Sequence, residues 1–380
     1  MTDTPKYKVG MVGCGRQGTQ HARGFTLLPD TKVVAIADPD PDNLELATRR
    51  FSARGYSGAE DMFANEKLDI VDCVLPVQFN PDMVVLAAER SGAKGIVSEK
   101  PIAASLVDAD RMVAACESRG IPWQGGNVDR SMSQLWEARR MIEAGEIGEV
   151  LSINLYEQTM QGGCQGLSVA HMFAEDADVD WVTGWTNGDS LGEGDDDYLG
   201  IGGYVRYANG IECFVHAKTG AMKGLIVTGT EGIYVTDKRH HRFYHKTEPA
   251  DAVLLSGMQH DGSKTFKPVR GHAAGGYDED GWLYPGDRLM DSMQSIVDAI
   301  TQGIEPRTPG HVQRRSFETT VAMRESARCG HAPVKLPLED RSLTLMPQKF
   351  RWMNKKELFG EEKYAEEIAR TNPGMGGTVE

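Results

Sequence analysis

The sequence has no apolar run approaching the roughly 20 residues that a membrane-spanning helix needs, so no span is expected. It also lacks an excess of positive charge. Lysine and arginine total 41 against 55 aspartates and glutamates, a formal net charge of −14. That balance argues against nucleic acid or an anionic membrane as partner. Cysteine is sparse and scattered, at Cys14, Cys73, Cys116, Cys164, Cys213 and Cys329. No pair has metal-ligand spacing, and the expectation is reduced, buried thiols in a cytoplasmic protein. The opening MTDTPKYK carries no apolar run, so a secretory signal is not expected. There is no internal repeat. Metal signals are thin as well. His240 and His241 would point to opposite faces of a strand, so only one of them can join His245, and an exposed sheet edge is the better reading. Asp195 to Asp197 lack the alternating spacing of an EF-hand loop and read as a solvated loop.

What the chain does have, at 380 residues, is length for two cores. Its first 125 residues alternate between apolar strands and helical patterns. Near the start, Lys8 to Gly18 read KVGMVGCGRQG, an apolar strand running into three glycines, with helical residues from Thr19 to Leu28. Gly13 permits a tight turn, Gly15 lets a pyrophosphate approach the backbone, and Gly18 allows close helix–strand packing. The helix N-terminus then offers free N–H groups to phosphate. A second strand, Lys32 to Ala37, ends in Asp38 about 20 residues past the glycines, where a ribose-binding acid belongs. A carboxylate there accepts from the ribose hydroxyls and repels a 2′-phosphate, which favours NAD over NADP. The same fold also serves flavins and nucleotide sugars.

The periodicity predicts a helix over 41–51, a buried strand over 69–75, a helix over 81–91, a strand over 95–98 and a helix over 106–119. A short strand follows at 121–124. Such alternation implies a doubly wound parallel sheet, with ligands beyond the carboxyl ends of its strands. Asp38, Pro76 and Lys100 each stand at such an end and are expected to line one crevice. The pattern then changes. A helix over 131–144 precedes a strand from 148 to 159. Asn209-Gly210 is a strong hairpin signal, and 225–230 with 232–236 form another. Strands in sequence imply a largely antiparallel open sheet. Residues 247–283 read as a long polar loop, 287–304 and 316–328 as late helices, and 372–380 as a tail. The domain reading is therefore a Rossmann α/β domain over 1–125, an α+β domain with the open sheet over 126–345, and an extension over 346–380.

These residues resemble the glucose–fructose oxidoreductase / inositol dehydrogenase / rhizopine-catabolism (Gfo/Idh/MocA) family from about residue 6 to 338. Gly13-Cys14-Gly15-Arg16-Gln17-Gly18 with Asp38 resembles its cofactor motif. VLPVQFNP at 74–81 resembles its fourth-strand segment, with Pro76 kept and Asn80 where a histidine is usual, and the resemblance places both among the coenzyme-binding residues. SEKPIA at 98–103 resembles its Glu-Lys-Pro signature, EAGEIGEVLSI at 143–153 its entry to the second domain, and residues 295–337 its closing helices. The resemblance implies an NAD(P)-dependent dehydrogenase of sugars or cyclitols, as a dimer or tetramer assembled through the open sheet. It implies that Lys100 lies by the nicotinamide and contacts the oxygen being oxidised, with Glu99 positioning it. An ammonium there stabilises a developing alkoxide.

The family's second-domain Asp-x-x-x-His is only half kept. His171 matches the histidine, while Leu167 stands where the acid is expected; either Glu175 or Asp176 supplies it from the other side, or the proton passes through His171 and Lys100 alone. A histidine titrates near neutrality and suits a proton shuttle. Arg130 either holds substrate or ties the domains together. Asn127 belongs with the substrate residues, and Tyr156 and Gln158 are placed facing the pocket. The expected function is hydride transfer between a secondary hydroxyl of a polyhydroxylated small molecule and nicotinamide. The alternatives are a redox-neutral cleaving or epimerising enzyme that recycles NAD, and a non-catalytic NAD sensor.

Overall fold

A computed structural model describes residues 6–156, 164–186, 200–216, 224–237, 240–245, 253–254, 288–345, 360 and 362. Most of the proposed loop at 247–283 lies outside them, as do Asp195 to Asp197, Gln158 and nearly all of 346–380, while loop residues 253–254 form a strand.

The first sheet contains β1 (Tyr7–Val12), β2 (Thr31–Ala37), β3 (Arg54–Tyr56), β4 (Ile70–Cys73), β5 (Gly95–Ser98) and β6 (Trp123–Gln124). Their order is β3-β2-β1-β4-β5-β6, and every pairing is parallel. The helices between them are α1 (Arg16–Leu27), α2 (Pro41–Phe51), α3 (Ala59–Asn65), α4 (Asn80–Arg90) and α5 (Leu106–Glu117). Local chemistry sets their ends. Asp40 caps α2 by accepting from the backbone N–H groups of Asp42 and Asn43, with Pro41 at the first helical position. Ser105 caps α5 in the same way. Sequence reading passed over β3 and α3, which are three and seven residues long.

After α6 (Ser133–Glu143), the second sheet begins with β7 (Val150–Tyr156). Helix α7 (Cys164–Phe173) follows, then β8 (Val179–Trp185), β9 (Gly202–Tyr207), β10 (Glu212–Val215), β11 (Gly224–Gly229), β12 (Gly232–Thr236), β13 (His241–His245) and β14 (Val253–Leu254). The chain ends, among described elements, with α8 (Arg288–Gln302), α9 (Gly310–Arg328) and β15 (Val334–Lys335). The nine strands run β14-β13-β12-β11-β7-β10-β9-β8-β15, antiparallel except for β7 beside β10. Helices α7 and α9 cover one face. Gly184 and Gly203 pair across β8 and β9, and a Cβ on Gly184 would stand 2.0 Å from the Met323 carbonyl oxygen, so α9 lies directly on the backbone. The other face carries Trp181, Tyr204 and Phe214, with the Tyr204 ring against each of the other two.

Helix α8 does not stay with the sheet that precedes it. Leu289, Met290, Met293, Ile296 and Val297 join Val9, Met11, Phe25 and Ile36 in the core over β1 and α1. The first layer is thus closed by a helix from the far end of the sequence. Helix α9 starts at Gly310, six residues before the expected start, and a Cβ there would enter the Trp123 ring.

Two sequence expectations are corrected, and Tyr156 is placed. The histidines of 240–245 are not on a bare edge: β14 pairs beyond β13, and His241 is buried with its Nδ1 2.7 Å from the Tyr234 hydroxyl. His240 contacts Asp237 and His245 contacts Glu146, so the three point to three partners. Cys329 is exposed, whereas Cys14, Cys73, Cys116 and Cys213 are buried and free. Tyr156 ends β7 on the face opposite α7, stacked on His216 with ring centroids 4.4 Å apart.

A candidate dinucleotide crevice

Strand order places the chain reversal between β1 and β4, and the crevice opens there at the carboxyl ends. Four neighbouring strands, β2, β1, β4 and β5, deliver Asp38, Gly13, Pro76 and Lys100 to this edge. At about 4.8 Å per strand gap, the edge from Asp38 to Lys100 runs ~14 Å, the scale of an extended dinucleotide.

Gly13 has φ +87°, and a Cβ there would meet the Val74 carbonyl oxygen at 2.4 Å. A Cβ on Gly18 would meet the Gly13 carbonyl oxygen at 2.0 Å. Those two glycines are required by the protein itself. Gly15 differs: nothing lies within 4 Å of its hypothetical Cβ, so the open space beside it is available to a phosphate. It caps α1 without a side chain. Arg16 and Gln17 form the half-buried first turn, and the Arg16 Nε has no partner among the described residues.

Asp38 is buried, and its carboxylate is held from both sides. One oxygen accepts from the Cys14 backbone N–H at 2.7 Å and from its thiol at 3.3 Å; the other accepts from the Asp40 N–H at 2.9 Å. Burial and the neighbouring Asp38 push the Cys14 thiol far above its ordinary value, so it stays a donor rather than a nucleophile. A carboxylate has about four acceptor sites, which leaves capacity for a ribose hydroxyl.

At the other end, Lys100 follows β5 and its amine lies 3.5 Å from a Glu99 carboxylate oxygen. Asn80 is fully buried at the start of α4, and its amide donates to the carbonyls of Glu99 (3.0 Å) and Pro101 (3.2 Å). It clamps the Glu-Lys-Pro backbone, a role that sequence reading, which gave Asn80 to the coenzyme, did not foresee. Gly126 abuts the same backbone, since its Cβ would stand 2.4 Å from the Lys100 nitrogen. The next residue, Asn127, is fully buried with neither amide atom partnered among the described residues. A buried amide left unsatisfied is costly, so it marks a place for a ligand group.

These features fit a nicotinamide dinucleotide: open backbone at a helix start, an acid on the next strand, and an unmet amide one residue past the glycine that packs on the Lys100 backbone. Comparisons with known proteins agree. Residues 7–125 match the model of the oxidoreductase family with an NAD-binding Rossmann fold. The likeness to the Gfo/Idh/MocA oxidoreductases is thus shown over the N-terminal domain. D-apiose dehydrogenase of Paraburkholderia graminis is 31% identical over 148 residues, 39% of each chain. The 2,7-anhydro-N-acetylneuraminate hydratase of Escherichia coli is 30% identical over 143 residues, 38% of this chain and 37% of that one. The match thus spans about two-fifths of the curated relatives' length. Over 87% of this chain and all of the other, the fold is shared with levoglucosan dehydrogenase, solved with NADH and levoglucosan (TM-score 0.67, 18% identity).

The second-domain residues form a separate group. His171 is fully buried on α7, its Nδ1 2.9 Å from the Tyr207 hydroxyl, and its Nε2 has no partner among the described residues. Burial, helped by the Arg315 and Arg130 charges, pulls its pKa down to about 3, so it is neutral at neutral pH rather than poised there. Asp176 takes Arg130 and Arg139, each at 2.8 Å. Although burial opposes ionisation, these two guanidinium groups hold its carboxyl below the ordinary range. Glu175 and Asp176 both have positive φ, at 61° and 56°, an arrangement the ion pairs help to fix. Arg130 also donates to the carbonyls of Arg307 and Ser168, at 2.7 and 2.8 Å. All three of its nitrogens are thus engaged in joining η-type turn 128–131 to α7 and to the α8–α9 link. Sequence reading missed His21 and Asp72, buried beneath Glu99; an acid inside the apolar run DIVDCVL was the available signal.

Two buried neutral histidines predict acid lability. His171 and His241 have folded pKa values lowered to about 3 and about 4, below the ordinary 6.5. The stability they contribute is complete above about pH 6.5 and is lost as pH falls toward those values. Denaturant midpoints should therefore fall steadily from pH 6.5 to 4. A flat profile over that window contradicts this burial.

Proposed function

We propose that the protein is an NAD-dependent oxidoreductase acting on a secondary hydroxyl of a sugar, cyclitol or glycoside. The observation that carries this reading is the buried Asn127 amide, unpartnered among the described residues and one residue past the Gly126 that packs on the Lys100 backbone, together with the open Gly15 turn. NAD, when bound, supplies the acceptor for hydride. Gly15 and the start of α1 hold its phosphates, with Arg16 and Gln17 alongside, and Asp38 holds the adenosine ribose. Pro76 borders the crevice at the end of β4. Lys100 contacts the substrate oxygen and stabilises negative charge as it develops there, while Asn127 takes a neighbouring hydroxyl or the carboxamide. The neutral His171, with Tyr207 behind it, offers Nε2 to move the substrate proton. Asp176 and Arg130 act as an anchor under that helix, not in the proton path. A second copy of the chain, packed on the aromatic face of the open sheet, completes the assembly.

A screen of sugars, inositols and glycosides with NAD, followed by absorbance of the reduced nicotinamide, tests this reading. Asp38→Ala is expected to weaken NAD by about tenfold or more and NADP by clearly less, since the loss of the Cys14 and Asp40 N–H acceptor is common to both coenzymes while the ribose hydroxyls lose a partner only in NAD. Equal losses contradict the ribose assignment. One observation favours a second reading: the E. coli relative is named a hydratase, a reaction without net oxidation. In that case, product forms without net NADH.

A further inference from the structure

A line of buried charge runs beneath the crevice. His21 lies on α1, one turn past Gly18, and is 1% exposed. Its Nδ1 stands 2.8 Å from an oxygen of Asp72, which is fully buried on β4. Its Nε2 lies 3.4 Å from Oε2 of Glu99, an ion-pair contact rather than an aligned hydrogen bond. Oε1 of the same Glu99 is 3.5 Å from the Lys100 amine. The order is therefore Asp72, His21, Glu99, Lys100, contributed by three elements that meet only in the fold.

We propose that His21 is a positioning residue for Lys100, acting through Glu99, and that it ties the amine to the helix that receives the coenzyme phosphates. The inference rests on the reading of Lys100 given above. Its physical basis is the sequence of charges. Glu99 placed between two cations has one oxygen fixed by His21, which leaves the other turned toward Lys100. Asp72 balances His21, so the four alternate in sign and sum to zero, the condition under which buried charges are tolerable. Burial by itself would discharge His21. Asp72, with Glu99 behind it, overcomes that and pushes the imidazolium up to about 10. The charges that act on His21 come from β4 and from the end of β5, while α8, packed against α1, contributes apolar residues such as Met290 and Met293. Removing the imidazolium leaves Asp72 and Glu99 as like charges in one buried space. Glu99 then loses the partner that fixes its orientation toward Lys100.

The test needs no substrate. Ring-nitrogen NMR of the full-length protein, with His21 assigned through His21→Gln, should show a doubly protonated imidazole at pH 8. A neutral ring at pH 8 overturns the proposal. The titration of Lys100, assigned through Lys100→Arg, should move to lower pH by about one unit in Glu99→Gln, which removes the neighbouring anion, and to higher pH in His21→Gln, which removes a neighbouring cation. An unmoved midpoint in His21→Gln overturns it, even if Glu99→Gln moves. If His21→Gln does not fold, the reciprocal coupling decides: Glu99→Gln must lower the midpoint of His21 itself, and no change there overturns the proposal. The two readings fail separately. A fully active Lys100→Ala removes the role of Lys100, and the proposal with it; an inactive Lys100→Ala with unmoved midpoints removes only His21.

Discussion

Lys100→Ala should lower turnover by about 10²- to 10⁴-fold while leaving NAD affinity within about threefold. The two halves of that result have different origins. Turnover falls because the amine is the cation held at the carboxyl end of β5, and no other ammonium stands with it in the Glu-Lys-Pro turn. NAD affinity holds because the phosphates and ribose are gripped at β1 and β2, two and three strands away. Asn80 fixes the backbone of the turn through two carbonyls, so loss of the Lys100 side chain does not release it. Lys100→Arg keeps the charge but cannot give up a proton, and should recover little of the loss. Initial rates with the best substrate of the screen, and NAD titration of each variant, measure both quantities. Full activity in Lys100→Ala contradicts the mechanism.

Gly15→Ala and Gly18→Ala should separate ligand binding from folding. At Gly15 the backbone has φ −62°, which alanine adopts, and a Cβ would enter open space. Thermal stability should stay within about 1–2 °C, because nothing in the protein is displaced. NAD affinity should fall by about 5- to 100-fold, the cost of 1–3 kcal/mol for forcing a methyl into the phosphate approach. At Gly18 the same methyl would meet the Gly13 carbonyl at 2.0 Å, so α1 must shift from β1. That variant should lose both stability and NAD binding. If Gly15→Ala binds NAD as the parent does, the phosphates do not lie where the open turn places them.

The readable part of this chain was the part whose physical demands are local. Gly13, Gly15 and Gly18 could be assigned from sequence because turn, approach and packing each need a missing side chain at a fixed offset. Asp38 and Lys100 followed from strand ends, which strand–helix alternation locates. What escaped depends on pairing across the fold. Asn80 looks like a coenzyme ligand in sequence, and only the meeting of α4 with the end of β5 makes it a backbone clamp. His21 and Asp72 lie 51 positions apart, and nothing local announces their contact. Tyr156 was assigned to the pocket from its strand, yet alternation fixes only that neighbours face opposite ways, and the register with β10 and β11 decides which face α7 covers. Asp176 was attractive as a carboxylate near His171. Its two arginine partners come from the turn at 128–131 and from α6, and they give it an anchoring place. Helix α8 crosses back to the first sheet for a reason that only the core of Val9, Phe25 and Met293 displays.

The central claim is that one sheet edge grips a dinucleotide so that its nicotinamide comes to Lys100. A crystal structure of the protein with NAD measures this directly. The account predicts pyrophosphate over Gly15, ribose on Asp38, and nicotinamide C4 within about 6 Å of the Lys100 amine, close enough for both to reach one carbinol group. A nicotinamide lying more than about 10 Å from that amine, beyond any shared substrate group, would contradict it.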